Sequence, residues 1–242
     1  NYTDTLPALD TWNFFMEFHY SHGGIDIYNN EFIGVACVDF AGVEVDEDHY
    51  TYGGRVFENT FRSASGGFAP YNPHNEPYID LESFSYVFDV AIYRNKFSYG
   101  RTAIALNNVY SELNYVDIYS NIIENTGNLD NGWDNAIYVS SEWAGSTPVY
   151  FSNISIVNNV ITAGRNTLSG VGVNVLGTMY RLIIKNNIIY GTFSRPIRFT
   201  APSSITTNQT YIQNNIFYGN NNTSIYYDPN ITFLNLDESG NL

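Results

Sequence analysis

An apolar–Asn–apolar figure returns seven times along this chain, and no other feature limits the possible fold so tightly. Its clearest copy is LIIKNNIIY at Leu182–Tyr190. The others are IDIYNNEF (Ile25–Phe32), GRVFENTF (Gly54–Phe61), VAIYRNKF (Val90–Phe97), VDIYSNII (Val116–Ile123), ISIVNNVI (Ile154–Ile161) and TYIQNNIF (Thr210–Phe217). Aligned on the shared Asn, they place Asn30, Asn59, Asn95, Asn121, Asn159, Asn187 and Asn215 in one column, at intervals of 29, 36, 26, 38, 28 and 28 residues. Self-similarity at such a period is the signature of a solenoid.

Three residues before each Asn stands Ile27, Val56, Ile92, Ile118, Ile156, Ile184 or Ile212, and two after it Phe32, Phe61, Phe97, Ile123, Ile161, Ile189 or Phe217. Invariably apolar columns separated by freely varying positions predict a strand with one buried face. A second strand follows in each repeat, as CVDFAG (Cys37–Gly42), YIDLES (Tyr78–Ser83), AIALNN (Ala103–Asn108), AIYVSS (Ala136–Ser141), GVNVLG (Gly172–Gly177), PIRFTA (Pro196–Ala201) and SIYYDP (Ser224–Pro229). Two strands per coil, each pairing with its counterpart one coil away, predict an all-β, right-handed parallel β-helix of about seven coils. Residues 1–24 then form an N-terminal cap region, 25–230 the β-helix and 231–242 a C-terminal tail. An Asn at each bend suits an amide ladder at the ~4.8 Å rung spacing, a structural role.

Net charge is −14, with only ten basic residues among 242, which excludes nucleic acid and anionic membrane surfaces as natural partners. No apolar run is long enough to span a bilayer. The single Cys37 heads a strand and reads as a small core residue. The chain starts at Asn1 rather than Met, and 231–242 looks slight as a cap. Both suggest a trimmed chain, with flanking domains or a second copy covering an open last rung around Ser224–Tyr227.

Candidate chemistry lies on the outward positions of the second strands. Alternation sends Asp39, Asp80, Ala105, Tyr138, Asn174, Arg198 and Tyr226 outward, with Ala41, Glu82, Asn107, Ser140, Leu176, Thr200 and Asp228 two residues on. Asp39, Asp80 and Glu82 thus fall on adjacent rungs, where three carboxylates repel unless a cation or a shared proton intervenes. An all-oxygen set without His or Cys suits Ca2+ rather than zinc. The same group is also an acid–base pair of the kind glycoside hydrolysis uses, and a solvated acidic stripe is the plain alternative. Two long connections, Arg62–Pro77 (with APYNPHNEP) and Glu124–Asn135 (with NLDNGWDN), would wall a cleft above Ala103–Asn108, and Thr162–Val171 is intermediate. His74, Arg101, Trp133 and Asp134 reach that cleft from its rim, His74 and Arg101 as proton-transfer candidates. Two residues before the Asn column, Tyr28, Phe57, Tyr93 and Tyr119 make an aromatic stripe on which sugar rings could stack.

Seven copies of [IV]-x-x-N-x-[IVF], each followed by a second strand such as NAIYVSS (Asn135–Ser141), resemble the right-handed parallel β-helices of the pectate-lyase superfamily. That resemblance implies a secreted or cell-surface protein acting on extracellular polysaccharide. NPHN at Asn72–Asn75 is similar to the DPHD/DPHE motif of mannuronan C5-epimerases, with Asn72 where that motif carries its catalytic Asp, so only His74 carries over. NNIIYGT (Asn186–Thr192) and NGWDN (Asn131–Asn135) are loosely similar to the β-helix of archaeal disaggregatases. The expectation is a lyase or glycoside hydrolase acting on an acidic polysaccharide, with Tyr138, Asn174 and Arg198 completing the substrate surface. The alternative is a non-catalytic polysaccharide-binding or structural module of a surface layer, adhesin or tailspike.

Overall fold

The computed structural model describes residues 16–19, 22–33, 38–41, 50–62, 77–83, 86–100, 102–108, 112–126, 135–141, 151–163, 170–191, 193–201, 204–222 and 225–242. Over these residues the chain is strand and turn without helix, wound as a right-handed parallel β-helix. Every strand pairing is parallel and joins one coil to the next.

Each coil carries three strands where the sequence suggests two. In one coil, Phe151–Val157 belongs to a long sheet, Val160–Ala163 to a short sheet and Val171–Leu176 to a return sheet. The expected first strand is therefore two strands, broken just before the ladder Asn. The reason is geometric. Residues five apart, such as Ile27 and Phe32, point to opposite faces of a straight strand, yet both are buried. The residue ahead of each ladder Asn restores the phase by turning left-handed: Asn29, Glu58, Arg94, Ser120, Asn158, Asn186 and Asn214 have φ between 54° and 59°. A second left-handed column bends the long sheet, beginning with Gly24 and Gly53 and continuing through Asp89, Tyr115, Asn153, Arg181 and Gln209. The pairing register steps over this column, as between Asn114↔Ser152 and Val116↔Ile154.

The core is a bundle of like-on-like columns. Val56, Ile92, Ile118, Ile156, Ile184 and Ile212 are all fully buried. Phe32, Phe61 and Phe97 stack with centroids 4.7 and 4.9 Å apart before the column changes to Ile123, Ile161 and Ile189. Where a large ring enters, its neighbour shrinks: a Cβ on Gly54 would lie 2.5 Å from Cε1 of Phe40.

The Asn column forms the expected ladder. Oδ1 of Asn159 accepts from both the backbone N–H (3.0 Å) and Nδ2 (3.0 Å) of Asn121. Its own Nδ2 donates to Ile118 O and to Asn187 Oδ1. The pattern repeats from Asn30 to Asn215 and continues to an eighth member, Asn241. What reads as a tail is thus another rung: Ile231–Phe233 and Leu236–Ser239 both pair with Ile205–Gln213, and Gly240 makes the left-handed corner at φ 65°. At the other end, Met16–His19 pairs with Val38–Ala41, so strand pairing also extends upstream of residue 25.

Candidate functional site

The return sheet holds the expected outward column in register. Glu17, Asp39, Asp80, Ala105, Tyr138, Asn174, Arg198 and Tyr226 are successive partners across the rungs. Glu82 is paired with Asn107, and Ser140, Leu176 and Thr200 continue that second column. The column expected on an exposed face is, however, buried over most of its described rungs, with Arg198 and Tyr226 half-buried. Asp39 is 1% exposed, Asp80 4%, Tyr138 6% and Asn174 3%, and Ala105 and Ser140 are buried as well. Alternation decides on which side of a sheet a side chain lies; it carries no information on whether that side meets water.

Asp39 and Asp80 are direct partners across adjacent rungs, and both side chains are buried. The Glu82 side chain, the third expected ligand, lies outside the described residues, and among the described residues no three His, Cys, Asp or Glu side chains gather in one place.

Toward the C-terminal rungs the column changes sign. Arg198 donates from Nε to Asn174 Oδ1 at 3.1 Å. Burial pulls its pKa down while the neighbouring Tyr138 and Tyr226 push it up; a guanidinium keeps its proton under either influence. Burial likewise raises the Tyr138 phenol, opposed by its hydrogen bond with Ser140 and by Arg198. On the same strand the Arg195 guanidinium sits 5.5 Å from the Tyr226 ring centroid, a cation–π contact. These two arginines differ from the cations of the N-terminal coils. Arg55, Arg62, Arg94 and Lys96 each hold a carboxylate, from Asp26, Glu31, Glu58 and Glu124 respectively. Arg195 and Arg198 have no carboxylate partner among the described residues. The sequence signal for this pair is RPIR (Arg195–Arg198): two of only ten basic residues, three apart on one short strand. The expected site included Arg198 but not Arg195.

The aromatic stripe is present on the long sheet, but its geometry differs from a flat platform. Tyr28 and Phe57 stack at 5.0 Å and 9°, Phe57 and Tyr93 at 4.9 Å and 2°, Tyr93 and Tyr119 at 4.8 Å and 2°. Rings lying side by side in one plane cannot bring their centroids this close, so the faces are turned to one another along the axis. Ring edges and hydroxyls are what the stripe presents outward. Sugar stacking needs a free ring face, and within the stack each face is taken by the next ring, with Val157 the next partner after Tyr119. The Tyr119 hydroxyl has its pKa raised by burial, then by Tyr93 and Asp117.

His74, Arg101, Trp133 and Asp134 lie outside the described residues, as do 63–76 and 127–134, the middles of the two long connections. The structure therefore joins Asp39, Asp80, Tyr138, Asn174 and Arg198 into one column and keeps the Tyr28–Tyr119 stack apart from it, on a different sheet. No family model, no curated protein and no solved structure matches this chain.

Proposed function

We propose that the protein is an extracellular or cell-surface β-helix, of the pectate-lyase-like kind, that engages an acidic polysaccharide. One observation carries the reading. On a chain of net charge −14, Arg195 and Arg198 stand close together without a carboxylate partner among the described residues, beside Asn174 and Tyr226. Arg198 uses Nε toward Asn174, leaving terminal guanidinium nitrogens of the type that receive a carboxylate in a planar, two-pronged fashion. A uronic acid offers that carboxylate at regular intervals along a chain, and Tyr226 supplies the aromatic and hydroxyl contacts that sugars use.

Binding is the reading that the described residues favour, because Asp39 and Asp80 are too deeply buried for a polymer to reach. The catalytic reading rests on the pairing of those carboxylates on adjacent rungs. In it, Asp80 and Glu82 work as the acid–base pair, His74 or Arg101 moves the proton next to the uronate carboxylate, and Asp39, Asp80 and Glu82 hold Ca2+.

The test is a panel of uronic-acid polysaccharides with neutral controls, with and without Ca2+. Calorimetry reports binding, absorbance reports the unsaturated ends left by a lyase, and reducing-end titration reports hydrolysis. Binding of polyuronates over neutral chains, weakened tenfold or more in Arg198→Ala and unchanged in Asp80→Asn, is the expected result. Turnover abolished by Asp80→Asn would establish the catalytic reading instead. No preference for acidic chains would overturn both.

A further inference from the structure

The short sheet changes character along the axis. Its first outward column reads Glu31, Thr60, Lys96, Ile122, Val160, Ile188, Ile216 through direct register. Leu242 extends it by one rung, donating its N–H to Asn215 O as Ile216 does to Asn187 O. The three N-terminal rungs are polar and closed on themselves, with Glu31 bound to Arg62 at 2.8 Å and Lys96 to Glu124 at 3.1 Å. The five C-terminal rungs are apolar, and Ile122, Ile188, Ile216 and Leu242 are exposed. Two residues on, Tyr190 and Tyr218 are direct partners, and both are exposed too.

Solenoid faces of this kind can be apolar simply because β-branched residues favour strands and pack along a ladder. That explanation predicts the same composition at both ends of the sheet, and the polar rungs show that this fold does not require it. The exposed fractions of these side chains amount to on the order of 600 Å2 of contiguous apolar surface, the upper end for the largest patch on a monomer. It also approaches the roughly 800 Å2 that each partner brings to a stable interface.

We propose that this stripe is a self-association surface, on which a second copy of the chain packs side by side and antiparallel. Charge and symmetry select this arrangement. A two-fold axis perpendicular to the coil axis at Ile188 sets Ile188 against itself, Val160 against Ile216 of the other copy, and Ile122 against Leu242 of the other copy. The stripe, about 19 Å long at the ~4.8 Å rung spacing, is then wholly covered. A parallel arrangement would instead press the Glu31–Arg62 and Lys96–Glu124 ion pairs against their own copies, desolvating charges that are already paired and gain no new partner, which costs affinity. The interface is isologous and closed, so it makes dimers and not fibres.

The experiment is sedimentation equilibrium over micromolar concentrations on the whole chain and on Ile188→Lys. Because residue 188 is exposed, that variant should melt as the wild type does. It puts two lysines together on the two-fold axis, and the dimer dissociation constant should rise at least a hundredfold. Orientation is read by disulfide trapping in a Cys37→Ser background. Ile122→Cys alone should fail to cross-link, whereas Ile122→Cys/Leu242→Cys should cross-link efficiently. A wild-type chain that stays monomeric, a dimer indifferent to Ile188→Lys, or trapping by Ile122→Cys alone would each overturn the proposal.

Discussion

Replacing Asn159 with Ala should cost far more than replacing Asn30, although the two occupy equivalent places in the repeat. Asn159 lies inside the ladder and is fully buried. Its Oδ1 accepts two hydrogen bonds from Asn121, and its Nδ2 donates to Ile118 O and Asn187 Oδ1. After truncation the backbone N–H of Asn121 and the carbonyl of Ile118 lose the side-chain partners that Asn159 supplied, in a place water does not reach. An unsatisfied buried group costs about 1–3 kcal/mol, so the pair should lower stability by roughly 2–6 kcal/mol. Asn30 heads the described ladder, is exposed, and its side chain donates to Tyr28 O and Asn59 Oδ1. Water can replace both bonds, and the expected loss is roughly 0.5–1 kcal/mol. Thermal unfolding followed by circular dichroism should separate the variants, at roughly 2–4 °C per kcal/mol for a chain of this size. Equal shifts for Asn30→Ala and Asn159→Ala would refute the view that the ladder stabilises by satisfying buried backbone.

Three further outcomes are expected. Thr207 and Thr210 are buried with hydroxyls that find no partner among the described residues; Thr207→Val and Thr210→Val should each raise stability by about 1 kcal/mol in denaturant titrations, because the replacement keeps the shape and removes the orphaned group. Gly54→Val should destabilise by about 1–3 kcal/mol through its clash with Phe40, and adding Phe40→Leu, which recreates the Val90/Leu81 pair of the next rung, should recover much of the loss in the same titration. Burial and the hydrogen bond to Glu238 raise the pKa of Tyr227 above its ordinary 10.0; stability from that phenol is full below pH 10 and is lost as pH climbs above it, so Tyr227→Phe should show a shallower alkaline decline in melting temperature than the wild type.

The fold was legible because a solenoid writes its core as columns, and the Ile/Val and Phe/Ile columns around Asn30–Asn215 survive insertions of up to ten residues between coils. The third strand was not, since the left-handed corner has no single residue type. Asn holds it at 29, 158, 186 and 214, but Glu58, Arg94 and Ser120 hold it elsewhere. The last rung is masked in the sequence for a chemical reason: Glu238 takes the place opposite Ile212 that every earlier coil gives to an apolar residue. There it accepts a hydrogen bond from the Tyr227 hydroxyl at 2.7 Å. Of the candidate site, the order of Asp39, Asp80, Tyr138, Asn174 and Arg198 followed from alternation, whereas the burial of its first members did not, because alternation fixes a face of the sheet and not what lies over it. The stacking of Tyr28, Phe57, Tyr93 and Tyr119 could be read as a column, but ring orientation is a rotamer choice that spacing does not encode.

The rungs of the Asn ladder are joined by chain segments of similar length, 26 to 38 residues between members, and this has a kinetic meaning. Closure entropy grows only with the logarithm of loop length, so the longest coil costs about 0.3 kcal/mol more to close than the shortest. No coil is therefore a privileged nucleus on entropic grounds, and none is a bottleneck. The span of chain that must be searched stays the same however many coils are stacked, unlike a β-sandwich, whose longest pairings lengthen with the chain. Once two neighbouring coils hold, each new one docks on a finished edge. During synthesis such an edge is always waiting, so assembly can keep step with the ribosome and leave little unpaired strand exposed at any moment.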